Sequence, residues 1–295
     1  MNLPLSDTRA NRPPCARANV LGIGIHATDI GAALGTIAHA ITTHTRGYIC
    51  AAGVHGVMEA QRDTSLRRIF SQALLVVPDG MPTVWMGRLQ GLRHMRRVFG
   101  PDLMLAAFGS PALRRCSHFL YGGNKGVARQ LQANLQRRFP QARIVGTYTP
   151  PFRPLNDAEN DRLFETVALT RPDIMWVGLS TPKQERFMAE YLPRLDTTLM
   201  IGVGAAFDFH TGRLKDSPPW VKQMGLQWLH RLAQEPARLG KRYLSNNPRF
   251  LMHAFLQLTG IRQFSLDAPP EAGAHLCAAM QVRRQGPNSE NLSIP

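Results

Sequence analysis

Ala73-Leu74-Leu75-Val76-Val77-Pro78-Asp79-Gly80 is the stretch on which the fold turns. Five apolar residues run without a break, and Pro-Asp-Gly then stops them at once. An unbroken apolar run of this length suits a strand covered on both faces, as in a parallel sheet. Pro, Asp and Gly are turn residues, so the strand ends where Asp79 begins.

Similar runs recur on both sides of it. Val20–Ile25, Tyr48–Val54, Ser117–Tyr121, Ala142–Val145, Asp173–Val177 and Leu199–Val203 read as further strands. Between them lie helical segments: one capped by Thr28 or Asp29, one through Met58, Leu66 and Ile69, and one opened by Asn124. Others run over about Asp157–Thr170 and Pro182–Tyr191. This alternation predicts an α/β, Rossmann-like, doubly wound and mainly parallel sheet. Ligands in such sheets bind beyond the carboxyl ends of the strands. The residues to watch therefore follow each strand: Gly53 and His55, Asp79 and Gly80, Gly122 to Lys125, Gly178 to Gln184, and Gly204 to Asp208.

The pattern changes near residue 215. The expected division is a disordered leader over 1–19, an α/β domain over 20–215, a basic helical appendage over 216–264 and a disordered tail over 265–295. In the appendage Val221, Met224, Trp228, Leu229 and Leu232 recur at helical spacing, and Pro236 and Pro248 break the helix into pieces. From Trp220 to Phe264 the cations are Lys222, Arg231, Arg238, Lys241, Arg242, Arg249 and Arg262, against the single acid Glu235.

The formal net charge of +15 draws anions over a distance. Nucleic acid, an anionic membrane surface and phosphorylated substrates all fit that charge. No aromatic-basic platform of the usual nucleic-acid modules is recognisable, which argues against the first. No charge-free apolar window is long enough to span a bilayer, and Phe250–Ile261 is too short. Residues 1–19 carry no signal-peptide stretch. Cys15, Cys50, Cys116 and Cys277 form no CxxC pair, so they read as reduced thiols of a cytoplasmic protein.

Several stretches carry candidate chemistry. Asp79 faces the crevice, where a carboxylate can take the proton of an attacking hydroxyl or can simply make a turn. Gly122-Gly123-Asn124-Lys125-Gly126 reads as a diphosphate cradle at a helix start, or as a tight turn. Arg96 or Arg97 can clamp a phosphate or merely be solvated. In Ser180-Thr181-Pro182-Lys183-Gln184-Glu185, Thr181 caps, Pro182 takes the first helical position, and Gln184 or Glu185 completes a capping box. Lys183 and Gln184 are ligand candidates by position. Asp208 can meet a sugar hydroxyl or hold a loop. The chain has no Asp-x-Asp pair and no His or Cys cluster, so no metal is expected. Gly22-Ile23-Gly24-Ile25-His26-Ala27 spells a dinucleotide fingerprint but lacks its acidic partner, which leaves an NAD-dependent oxidoreductase as a weaker alternative.

Taken together, these blocks resemble the WecG/TagA/CpsF family, glycosyltransferase family 26. The matching stretches are His55-Gly56-Val57-Met58-Glu59-Ala60, Val77-Pro78-Asp79-Gly80, Arg97-Val98-Phe99-Gly100-Pro101-Asp102, Tyr121-Gly122-Gly123 and Val177-Gly178-Leu179. Pro182-Lys183-Gln184-Glu185, Gly202-Val203-Gly204, Phe207-Asp208-Phe209 and Gly212 continue the match, with Pro218-Pro219-Trp220, Gly225-Leu226-Gln227-Trp228, Arg231-Leu232, Glu235-Pro236, Arg238 and Arg242-Tyr243.

The resemblance implies an inverting, metal-independent enzyme of cell-surface polysaccharide biosynthesis, with no cofactor. Its donor is a UDP-sugar of the N-acetylmannosamine, N-acetylmannosaminuronic acid or glucuronic acid type. Its acceptor is a polyprenyl-diphosphate-linked saccharide at the inner face of the cell membrane. Asp79 takes the place of the family's base and Arg97 that of its crevice arginine. His55, Gly80, Gly122, Gly123, Lys183, Gln184 and Asp208 fall around the substrates. The family's appendage touches the membrane and brings arginines to the diphosphate; those positions match Arg231, Arg238 and Arg242. The chain departs from the family twice. Gly53 stands where Asn is usual beside the base, and Gln227 stands where Glu is common. Gly53 leaves a catalytically inactive nucleotide-sugar-binding protein as the other reading, and a homo-oligomer stays open.

Overall fold

In the computed structural model, which describes residues 16–267, the chain opens with a hairpin, β1 (Arg17–Val20) and β2 (Ile23–His26). Six more strands make one parallel sheet: β3 (Gly47–Ala52), β4 (Leu75–Pro78), β5 (Ser117–Gly122), β6 (Arg143–Tyr148), β7 (Ile174–Gly178) and β8 (Leu199–Gly202). Their order is β4-β3-β8-β7-β5-β6, and every pairing is parallel. The helices between them are α1 (Ile30–Thr42), α2 (Val54–Ala60), α3 (Thr64–Gln72), α4 (Met81–Leu89), α5 (Gly100–Phe108), α6 (Val127–Arg138), α7 (Asp157–Thr170), α8 (Lys183–Tyr191) and α9 (Ala206–His210). Beyond Lys215 follow α10 (Pro219–Gln223), α11 (Gln227–Gln234) and α12 (Pro236–Leu258).

Strand alternation sends side chains into two cores. Tyr48, Cys50, Val76, Phe119, Tyr121, Met175, Val177 and Met200 belong to one. Ile49, Leu75, Val77, Leu120, Ile174, Trp176, Leu199 and Ile201 belong to the other. Both faces are therefore covered, which is why the runs are apolar throughout rather than alternating. His118 is buried in the sheet, and its Nδ1 accepts from Trp176 Nε1 at 3.1 Å. Burial lowers its pKa to about 4, so it is a neutral acceptor.

The structure corrects several local expectations. The run Val20–Ile25 is not one strand: it folds back at Leu21-Gly22, and Leu21 takes a φ of 53° and Gly22 a φ of 82°. The supposed dinucleotide fingerprint thus lies in an antiparallel hairpin rather than a strand-to-helix turn, which removes the geometry that an oxidoreductase needs. The hairpin covers the edge of the sheet, and the Val76 amide donates to His26 Nδ1 at 3.0 Å. Ordered chain begins before residue 20, since β1 starts at Arg17. The junction of appendage and expected tail, residues 264–267, is also tied down. Asn19 donates to the Phe264 carbonyl at 2.6 Å, and Arg67 pairs with Asp267 at 3.0 Å. The rest of the leader and tail, with Cys15 and Cys277, lies outside the described residues; Cys50 and Cys116 are buried free thiols.

Of the helix starts, Asp29 caps α1, accepting from Ala32 at 2.8 Å. Asn124 caps nothing: α6 starts behind Gly126, which is in the left-handed region. Thr181 is no N-cap either. Its hydroxyl donates to Glu185 Oε1 at 3.0 Å, and Pro182 precedes the helix. In the appendage Pro236 starts α12, but Pro248 does not break it. The carbonyl that loses its partner belongs to Leu244, whose side chain is exposed, so water can serve it. Packing of Leu239, Asn246, Phe250 and Ala254 holds the helix through the proline.

Candidate active site at the carboxyl end of the sheet

Asp79 stands at the end of β4, and backbone bonds fix it there. Its amide donates to the Ala52 carbonyl at 3.2 Å, and its own carbonyl accepts from Arg97 Nε at 2.8 Å. The Val98 amide donates to the Pro78 carbonyl at 2.8 Å, which straps the Arg97–Gly100 segment along the strand end. Asp79 Oδ1 accepts from the Gly100 amide at 3.3 Å, the first residue of α5. That helix start favours the carboxylate.

The other oxygen of Asp79 lies beside Gly53. A Cβ built on Gly53 would sit 3.5 Å from Oδ2. Gly53 has φ −104° and ψ −179°, extended backbone open to any residue. Neither the chain path nor packing demands glycine there, so its effect is to leave space beside the carboxylate. Burial pushes the Asp79 carboxyl above the usual range, against the opposing pull of Arg97, the Gly100 amide and Arg231. A carboxylate made more basic by its surroundings is suited to accept a proton.

Arg97 joins the strand end to the appendage. Its Nη2 donates to Gln227 Oε1, and its guanidinium lies over the Phe99 ring at 4.2 Å. The arginines of α11 and α12 complete the crevice. Arg231 donates to Glu235 at 3.2 Å, and Arg238 donates to the same oxygen at 2.6 Å. Arg231 Nε is buried with no partner. Arg242 reaches Ser180 Oγ at 3.4 Å. Burial lowers the pKa of Arg242, and the guanidiniums of Arg238 and Arg231 lower it further. Three guanidiniums, of which two share the Glu235 carboxylate and the third has only a hydroxyl, make a site short of negative charge. Asp208 is drawn in beside them. Burial raises its carboxyl against the pull of Arg238, with Glu235 adding to the rise.

Other candidates are placed differently from expectation. His55 is a fastening: its Nδ1 accepts from Asn246 of α12 at 2.9 Å, and its Nε2 faces the Thr181 carbonyl at 3.3 Å. Asn246 Oδ1 accepts from Arg62 at 3.2 Å, so both the nitrogen and the oxygen of this buried amide have a partner. Gln184 is also buried. It accepts from the Gly204 amide at 3.0 Å and donates to Glu185 at 2.9 Å, which fixes the floor of the crevice rather than facing it. Lys183 is exposed. Gly80 caps α4 with extended backbone.

For the glycine pair the turn reading suffices. Gly122 has φ 128°, and a Cβ on it would lie 2.5 Å from the Gly178 carbonyl oxygen. The Gly123 amide is already given to that carbonyl at 3.1 Å. Sequence reasoning missed Asn246 as part of the site and marked Gln227 only as a departure from the family. An interior Asn carries no signal until the appendage is folded over the crevice. Among the described residues, no group of three or more His, Cys, Asp or Glu side chains is placed to hold a metal ion.

Comparison with known proteins finds a matching family model and named relatives. A family model described as "Glycosyl transferase WecG/TagA/CpsF family" matches residues 18–263. A protein of Bacillus subtilis (strain 168) named N-acetylglucosaminyldiphosphoundecaprenol N-acetyl-beta-D-mannosaminyltransferase is 29% identical over 186 residues, covering 63% of this chain and 70% of its own. A protein of the same name from Bacillus spizizenii (strain ATCC 23059 / NRRL B-14472 / W23) is 27% identical over 180 residues, covering 61% and 68%.

Proposed function

We propose that this chain, which belongs to the WecG/TagA/CpsF glycosyltransferase family, transfers a sugar of the N-acetylmannosamine, N-acetylmannosaminuronic acid or glucuronic acid type from UDP. The acceptor is a saccharide on a polyprenyl diphosphate. The observation that carries this is the guanidinium cluster beside Asp79: Arg231 and Arg238 share the Glu235 carboxylate, Arg242 has only the Ser180 hydroxyl, and Arg231 Nε lacks a partner. A diphosphate supplies the missing charge, and bidentate oxygens match guanidinium forks. The two Bacillus relatives are named for transfer to a diphosphoundecaprenol sugar, which supports the same class of acceptor.

The reaction is a single displacement. Asp79 Oδ2 takes the proton from the acceptor hydroxyl as its oxygen attacks the anomeric carbon. The bond from that carbon to the UDP oxygen breaks on the opposite side, so configuration inverts. Negative charge then grows on the departing diphosphate, where the guanidiniums of Arg231, Arg238 and Arg242 meet it. Arg97 holds Asp79 through its carbonyl and the appendage through Gln227. In this scheme the guanidiniums supply the cationic stabilisation, and no metal or other cofactor takes part.

The enzyme acts at the inner membrane face. No described helix is long and apolar enough to cross a membrane. Leu244, Leu251, Phe255 and Leu258 are exposed along one stripe of α12, with Lys241, Arg249 and Arg262 nearby in the chain. An apolar stripe flanked by cations suits an anionic lipid surface. The test is a panel of UDP-sugars offered with a lipid-diphosphate saccharide, with and without EDTA. One donor of the proposed type is expected to be consumed at a rate indifferent to EDTA. Failure of every UDP-sugar, with UDP binding retained, points to an inactive binding protein instead. A rate that collapses in EDTA contradicts the metal-free mechanism.

A further inference from the structure

A second apolar patch lies on α4 of the α/β domain and on α10 at the start of the appendage. Trp85 and Leu89 lie four residues apart on α4 and are 43% and 68% exposed. Trp220 and Met224, four apart on α10 and its C-cap, are 60% and 58% exposed. The pairs adjoin, because a Cβ placed on Gly225, next to Met224, would lie 2.6 Å from the Trp85 ring and 3.2 Å from Met81. Single exposed apolar residues need no explanation, but an adjoining set does.

The patch flanks the crevice. The turn Asp79-Gly80 leads directly into α4, and α10 leads into α11, whose Gln227 accepts from Arg97. Its surroundings are basic. Met81 to Pro101 contains Arg88, Arg93, Arg96 and Arg97 and no Asp or Glu. Arg93 and Arg96 are exposed, and the Arg96 guanidinium reaches only as far as the Arg93 carbonyl at 3.3 Å.

We propose that the Trp85–Leu89 face of α4, together with Trp220 and Met224, is a lipid contact that sets the mouth of the crevice against an anionic bilayer. It rests on the reading that the acceptor is held in a membrane, and it adds an anchor on α4 and α10, separate from α12. Charge selects this occupant. Anionic headgroups complement Arg93 and Arg96, whereas a second copy packed about a two-fold axis brings the same arginines toward their equivalents. Tryptophan with flanking arginine also suits the headgroup boundary. Two contacts on different elements fix orientation as well as attachment, so the Asp79 crevice opens toward the lipid-borne diphosphate.

The test uses the full chain and vesicles of phosphatidylglycerol and phosphatidylcholine. Trp85→Ser and Leu89→Gln together are expected to weaken vesicle binding by roughly tenfold or more. Turnover of a vesicle-borne acceptor falls with it, while turnover of a short-chain, water-soluble diphosphate acceptor stays at the wild-type level. Leu89→Gln alone, at a position that supports no other element, gives a smaller loss in the same direction and covers the case in which Trp85→Ser loosens the Gly225 turn. Leu251→Gln with Phe255→Gln on α12 is run beside them. If the α4 variants bind vesicles like wild type while the α12 variant does not, the inference falls and the membrane reading stands. If neither set weakens binding, both fall. If the wild type self-associates in solution and Leu89→Gln abolishes that, the patch is a contact between copies and the inference is overturned.

Discussion

Asp79 is held by main-chain bonds to Ala52, Arg97 and Gly100, on a strand buried on both faces. Arg231, Arg238 and Arg242 are held by side chains: Glu235, Ser180 and, through α12, the His55–Asn246 pair. The sheet end thus presents a base whose position follows from the fold. The appendage presents charge on long side chains that can shift to meet a ligand. A proton acceptor needs fixed geometry, while a diphosphate whose charge grows during reaction is served by several adjustable donors.

Asp79→Asn gives the largest expected effect, a loss of about a thousandfold in turnover, within the range for a general base, with UDP protection against melting unchanged. Wild-type turnover falls as pH drops through the Asp79 pKa, which burial raises above the ordinary carboxylate range. A pH–rate profile shows that limb above the usual carboxylate region, and the asparagine variant lacks it. Arg231→Ala comes next, at about 3 kcal/mol of barrier, the typical cost of one preorganised donor. Unlike Asp79→Asn, it also weakens UDP protection.

The sheet has an acid weakness at His118. His118 titrates near 4 in the fold, below its ordinary 6.5, so its neutral form stabilises the protein above pH 6.5 and that stability is lost as pH falls toward 4. The loss is of order 3 kcal/mol, read as a falling Tm across that window and reduced in His118→Gln. Asn246→Ala tests the other region. Removing the Asn246 bonds to His55 and Arg62, which keep Thr181 and Glu59 as their other partners, costs about 1–3 kcal/mol, seen as faster hydrogen exchange in α12 with the sheet unchanged. Gly53→Asn has the smallest effect on stability, a gain of a few tenths of a kcal/mol at the start of α2, where Asn is the better cap. A loss of about 2 kcal/mol or more there would show that the space beside Asp79 is needed by the fold.

The two regions also differed in how far the sequence disclosed them. The six runs that became the parallel sheet were legible because burial on both faces demands unbroken apolar residues, and Asp79 followed from where one run stopped. The hairpin was not legible, since Leu21 and Gly22 turn within an apolar run and nothing polar marks the reversal. His55 was found by position but read as a ligand. Its partner Asn246 lies 191 residues away, and no local pattern encodes such a pairing. Pro248 misled because a proline in an exposed turn of a packed helix costs less than its propensity suggests.

The central claim is that the Asp79 carboxylate and the Arg231 guanidinium act on one transition state. The most direct test is a double-mutant cycle of Asp79→Asn and Arg231→Ala, read as single-turnover rates with the lipid-diphosphate acceptor. Groups that act as a unit lose less together than the sum of their separate losses. The predicted result is a double variant little slower than Asp79→Asn alone. Full additivity of the two losses would contradict the account and assign the sheet end and the appendage to separate events.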